Sequence, residues 1–354
     1  MPISRRFRPK TRRIMTTIFV VTFLILLVIP FQRPAMLGCE DPKQRGGRKD
    51  GATPTPTSPQ SNGATSDANA PTPRLIVVPN APIASLVHRL LPEQRVVIAG
   101  AAHATEATQW KPTALEISAL QQASLIVLNG AGYEPWSEQA ALPRAQTLEL
   151  ATLVRDRLIA MEEATHTHGP EGAHSHGATA ATTWLSPEIL RTQSRVLALA
   201  LIERAPVKKD AIESNLASIE RQLTTINDTL REVALVQPNW LASHPVYQYL
   251  AQSGGLTIHS MHWEPDAMPD ETQWTALQDL RSKHPSLGVS GKSLMLFEGE
   301  PIQALRERLE REQIEIVVFM PLGVTNAAAP TPPADFLAYF NASVNAMLGA
   351  AKSL

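Results

Sequence analysis

Ten histidines against a single cysteine set the range of chemistry open to this chain. Four of them, His166, His168, His174 and His176, fall in segment 165–177, Thr-His-Thr-His-Gly-Pro-Glu-Gly-Ala-His-Ser-His-Gly. Two His-x-His pairs on either side of a Gly/Pro turn can fold several imidazoles around one ion. A solvated loop with no defined role is the ordinary reading of such a stretch, but four histidines within eleven residues favour metal binding. His244 directly follows a strand-like run and is the firmest single ligand candidate, the alternative being a capping or core histidine. His103 stands a few residues beyond another such run, where a surface role is equally open. Glu106, Glu264 and Glu298 are candidate carboxylates, although a carboxylate in a loop is more often merely solvated. His88, His259, His262 and His284 are read as structural or surface residues, with Trp263 as packing beside His262.

Other chemistries fail on the residues. The lone Cys39 rules out a disulfide framework and a cysteine-based zinc site. Gly291-Lys292-Ser293 resembles the end of a phosphate-binding loop, but the glycine required five residues earlier is Ser286. No HExxH, GxSxG or dinucleotide fingerprint is present. A zinc hydrolase would need three fixed ligands, an open water position and a base, so no enzyme is expected. The formal net charge of −1 argues against nucleic acid as a partner.

Elements must position these side chains. The 354 residues are 44% hydrophobic and 18% charged, enough for two lobes at about 100–200 residues per domain. Short β-branched runs at 75–78, 96–98 and 125–128 alternate with helical stretches at 84–91 and 114–123. The pattern returns after Pro238 with runs at 240–243, 256–260, 294–297 and 314–319 and a last helix near 334–348. Strands alternating with helices imply parallel sheets covered on both faces. Between the halves, Ile212, Leu216, Ile219, Leu223, Ile226, Leu230 and Val233 recur at steps of four and three, the seam of one long helix. The expected fold is therefore α/β: two parallel-sheet α/β lobes joined by one long spine helix, with a cleft between the lobes. Ligands bind outside the carboxyl ends of such strands, which is where His244, Glu298 and Met320 fall. Segment 262–265 would close over that cleft.

The N-terminal segment concerns targeting. Arg5, Arg6, Arg8, Lys10, Arg12 and Arg13 precede an apolar run at 14–29, the shape of an export signal. Cys39 sits in a loose lipoprotein-type box; lipid attachment there, an uncleaved anchor and a free thiol all remain open. Residues 40–73, rich in Pro, Gly, Ser and Thr, read as a disordered tether. The expected layout is 1–39 signal or anchor, 40–73 linker, 74–205 N-terminal lobe, 206–237 spine and 238–354 C-terminal lobe.

A set of motifs runs along the folded part of the chain: Trp110-Lys111-Pro112, the stretch 123–130 (Ala-Ser-Leu-Ile-Val-Leu-Asn-Gly), Tyr133-Glu134-Pro135-Trp136 and 183–187 (Thr-Trp-Leu-Ser-Pro). The spine helix, 243–249 (Ser-His-Pro-Val-Tyr-Gln-Tyr), Gly255-Leu256, Leu296-Phe297-Glu298 and Pro321-Leu322-Gly323 complete the set over roughly 74–350. Together they resemble the zinc/manganese substrate-binding proteins of bacterial ABC importers. The resemblance implies a metal held in the cleft by three histidines and a carboxylate. Matched position by position, the first ligand is Thr108, the second Thr182, the third His244 and the fourth Met320, so one of the four survives. A threonine hydroxyl is a poor zinc ligand and a thioether is too soft. Replacement imidazoles would come from His176, His174 or His103. The implied function is an exported, membrane-tethered monomer that captures Zn²⁺ and delivers it to an ABC permease. Zinc is favoured over manganese because imidazoles outnumber convincing carboxylates. The alternative is a degenerate relative that acts in adhesion, scaffolding or metal buffering without transport.

Overall fold

The computed structural model describes residues 75–100, 110–161, 165–167, 173–175, 179–288, 291–323 and 335–354. The expected export segment, Cys39 and the expected linker lie outside these residues, as do Glu106, His103 and Thr108.

The first β-branched runs form β1 (Ile76–Val78), β2 (Val96–Ile98) and β3 (Leu125–Leu128), in a parallel sheet of order β2-β1-β3-β4. The fourth strand, β4 (Thr147–Glu149), pairs in parallel with β3 and was not foreseen. Its three residues are partly exposed and mostly polar, so neither alternation nor β-branching marks it. The connections are α1 (Ala81–Leu90), capped by the Asn80 side chain, and α2 (Ala114–Leu120), with a Thr113–Glu116 capping box.

The second sheet, order β10-β9-β7-β8, is also parallel. It comprises β7 (Asn239–Ala242), β8 (Thr257–Ser260), β9 (Ser293–Phe297) and β10 (Ile314–Val318). The 165–177 segment, read as a loop, contains instead a short antiparallel pair, β5 (Thr165–Thr167) with β6 (Ala173–Ser175).

The long seam forms α4 (Lys209–Val236), 28 residues and therefore roughly 42 Å long. Ile212, Ile219, Leu223, Ile226, Leu230 and Val233 are fully buried in it, and Pro238 follows its end. It packs between α3 (Pro187–Arg204) and α8 (Phe336–Ser353), so one continuous apolar core runs through both lobes.

The two faces of each sheet divide by residue parity. Ile76, Val78, Leu125 and Val127 point into the common core, while Val77, Ile126 and Leu128 join Trp110 and Trp136 on the outer face. Likewise Trp240, Ala242, Leu294 and Leu296 face the common core, and Leu241, Met295 and Phe297 face Trp263 and Trp274. Burial on both faces is what a parallel sheet between helices requires. The outer cover of the second sheet includes α6 (Glu271–Lys283), whose first turn is closed by an Asp270–Gln273 capping box, and α7 (Gln303–Arg311). No helix among the described residues is long and apolar enough to cross a membrane.

Candidate metal centre

The central strand of the second sheet is β7, with β8 on one side and β9 on the other. The chain leaves all three at the same end. Ser243 N–H donates to the Leu296 carbonyl at 2.8 Å, and Met261 N–H donates to the Ala242 carbonyl at 2.8 Å. His244 follows β7, Glu298 follows β9, and Glu264 stands four residues beyond β8. Three chain segments far apart in sequence thus converge because their strands are neighbours.

The His244 ring is buried, 9% exposed, and lies between two carboxylates. Its Nδ1 is 2.8 Å from Glu298 Oε1 and its Nε2 is 3.4 Å from Glu264 Oε1. One donor atom from each residue falls within 4.8 Å of the others, the one such grouping among the described residues. Burial works against charge on His244, but the Glu264 and Glu298 carboxylates outweigh it and push its pKa up to about 10.

The two distances imply different roles. Zinc bonds to nitrogen and oxygen of about 2.0–2.2 Å place adjacent tetrahedral ligands about 3.4 Å apart, the Nε2–Glu264 spacing. The 2.8 Å contact on Nδ1 has hydrogen-bond length, the geometry of a carboxylate that orients a ligating imidazole. Glu264 is half exposed and leaves the site open to solvent on its side.

The N-terminal lobe presents different chemistry to this end of the sheet. Thr182, at the second ligand position implied by the resemblance, donates its hydroxyl to the Val246 carbonyl at 2.7 Å. Its oxygen serves as a tie between lobes. The adjoining interior is a buried polar network. Thr183 Oγ1 donates to Asn129 Oδ1 at 2.7 Å, and Gln193 Nε2 donates to Thr183 Oγ1 at 3.0 Å. The buried Glu134 carboxylate accepts from the backbone N–H of Asn129 at 2.7 Å and of Gly130 at 3.0 Å. Burial nevertheless pushes its pKa up to about 8.

Aromatic side chains hold the strand end after β10. Tyr247 hydroxyl donates to the Phe319 carbonyl at 2.7 Å, Trp184 Nε1 to the Pro321 carbonyl at 2.8 Å, and Tyr133 hydroxyl to the Gly323 carbonyl. A Cβ at Gly323 would fall 2.8 Å from the Trp184 ring, so this approach needs glycine. Met320, at the fourth implied ligand position, packs its side chain against the common core.

Of the residues singled out from the sequence, His244, Glu264 and Glu298 meet. His174 lies in β6 at the register position opposite His166. His176 and His103 lie outside the described residues. His259 and His284 stack on each other at 4.2 Å between ring centres. His262 stands beside His244, their ring centres 6.1 Å apart. The available signal was alternation: in His262-Trp263-Glu264, a buried tryptophan fixes which side its neighbours take.

Residues 76–348 match the family model described as zinc-uptake complex component A, periplasmic. No curated protein matches the chain. Among solved structures, the Zn(II)-bound ZnuA-like domain of Streptococcus pneumoniae AdcA superposes with a TM-score of 0.62 at 19% identity, over 78% of this chain and 98% of that one. The metal-dependent lipoprotein YcdH from Bacillus subtilis gives 0.60 at 18% identity, over 79% and 98%. The periplasmic zinc-binding protein TroA from Treponema pallidum gives 0.58 at 11% identity, over 79% and 99%. At these identities the likeness concerns the fold.

Proposed function

Because the chain belongs to the zinc-uptake complex component A family, we propose that it captures Zn²⁺ outside the cytoplasm and delivers it to an ABC permease. The observation that carries this reading is His244 set between Glu264 and Glu298 at the ends of three adjacent strands. Zinc is the cargo, taken by His244 Nε2 and Glu264, while Glu298 holds the imidazole through Nδ1. The zinc-bound relatives of the same fold support the choice of metal. The carboxylate pair suits manganese as well, so the preference for zinc rests on the family and on the histidine supply.

His103, His174 and His176 stand as alternative imidazoles from the N-terminal lobe, and the 165–177 segment as a second place where zinc collects. Lipid on Cys39, or an uncleaved apolar segment, would tether the protein to the membrane near its permease, with residues 40–73 as the leash. A second reading, metal buffering without transport, draws on the loss of the implied ligands at Thr108 and Thr182 and on the engagement of the Thr182 hydroxyl with Val246.

Replacing His244 by Ala decides whether the strand ends take metal. The expected outcome is a weaker tightest zinc site and a smaller zinc-induced rise in melting temperature, with binding by 165–177 retained. Parent-like affinity and thermal shift would remove the site. Growth under zinc limitation then separates the two readings, since buffering alone leaves uptake unchanged when the gene is deleted.

A further inference from the structure

Beyond β8 the chain runs extended, and its side chains alternate. Trp263 turns inward, 1% exposed, with its ring 4.7 Å from that of Trp274. His262 and Glu264 therefore take the other side, toward the end of β7. The backbone secures this placement. Met261 N–H donates to the Ala242 carbonyl at 2.8 Å and Trp263 N–H to the Ser243 carbonyl at 3.0 Å, so two backbone bonds tie the segment to the end of β7 beyond the last strand residue. Gln273 of α6 donates to the His262 carbonyl at 3.2 Å and fixes the segment from behind. His262 is thus held beside His244 by the sheet, the tryptophan anchor and the helix.

The rings of His244 and His262 meet edge to face at 86°, with centres 6.1 Å apart. Two imidazoles on one tetrahedral zinc have ring centres about 5 Å apart, given zinc–nitrogen bonds of about 2.0–2.1 Å. A turn of the half-buried His262 ring about its own side-chain bonds would have to close that difference of about 1 Å. Glu264, two residues on, already faces His244 Nε2 at 3.4 Å.

We propose that His262 is a metal ligand, joining His244 and Glu264 with Glu298 as the orienting carboxylate, so that the ligand set comes wholly from the C-terminal lobe. This rests on the reading of His244 as a metal site and adds which residue completes it. It also makes capture independent of any approach between the lobes, because β7, β8 and β9 share one rigid sheet.

The test uses the full chain in detergent, stripped with a chelator, with and without residues 165–177 so that binding there is subtracted. Zn²⁺ affinity is measured by competition with a chromogenic chelator for the parent, His244→Ala, His262→Ala, His262→Gln and His103→Ala. Cobalt(II) absorption reports the coordination sphere directly. The expected result is a loss of about tenfold or more in both His244→Ala and His262→Ala, altered cobalt spectra in both, and parent behaviour in His103→Ala. The His262→Gln variant keeps a polar side chain of similar reach, so a loss there with an unchanged melting temperature excludes misfolding as the cause. If His244→Ala weakens binding while both His262 variants match the parent in affinity and spectrum, His262 is not a ligand and the metal reading stands. If His103→Ala weakens binding instead, the N-terminal lobe supplies the missing imidazole and the one-lobe set is wrong. Parent-like binding in His244→Ala removes the site and this proposal together.

Discussion

At pH 7 a histidine with a pKa of about 10 is an imidazolium, so zinc would bind His244 only by displacing a proton. Calorimetry in buffers of different ionisation enthalpy should therefore show about one proton released per zinc at this site, and affinity should rise about tenfold per pH unit below the pKa. A proton count near zero would mean that His244 stays charged and does not bind. Glu134 gives the opposite kind of dependence. Burial raises its carboxyl to about 8, so the folded state keeps a proton that the unfolded chain releases near its ordinary value of 4.5. Stability from this group is therefore greatest in acid and falls as pH rises from about 4.5 to 8. The Glu134→Gln variant should show a flatter melting temperature over that window than the parent; identical slopes would rule the group out as the source. His244 could be placed from the sequence because it follows the strand-like run Trp240–Ser243. Glu264 and Glu298 could be named as candidate carboxylates, but not their meeting with His244, since a carboxylate in a loop carries no pattern until strand order puts it next to its partner.

The elements divide in the same way. Long periodic segments could be read directly: the seam from Ile212 to Val233 is one helix, and the alternating strands of both sheets bury both faces. β4 could not, because a three-residue polar edge strand is defined by its partner β3 and has no pattern of its own. The pairing of β5 with β6 was hidden for a similar reason: the Gly/Pro turn was visible, but cross-strand register was not. The spine offers the clearest energetic test. Leu223 is fully buried midway along α4, and Leu223→Ala should destabilise the protein by about 2–5 kcal/mol through lost transfer energy and the cavity left behind. Denaturant unfolding of the stripped protein measures this, and a change below about 1 kcal/mol would show that the seam repacks around the gap.

For the whole molecule, removing segment 165–177 should lower zinc stoichiometry by at least one equivalent while leaving the stripped protein's melting temperature nearly unchanged. Unaltered stoichiometry would deny the segment a metal role. The tie between lobes behaves differently. Thr182→Val removes the bond to the Val246 carbonyl and should cost about 1 kcal/mol with no loss of zinc affinity; a matching fall in affinity would mean that the hydroxyl contributes to the site after all.

The aromatic contacts beyond β10 have a consequence for how such a protein changes over time. Tyr247, Trp184 and Tyr133 grip carbonyl oxygens at Phe319, Pro321 and Gly323, and every amino acid carries a carbonyl. Apart from the glycine that Trp184 requires, the grip does not depend on which side chain follows β10. Mutation can therefore place Met320 where relatives are implied to carry an acid without loosening the frame. The frame rests on aromatic side chains and main-chain carbonyls, so a side chain such as Met320 can be exchanged while the two lobes stay joined.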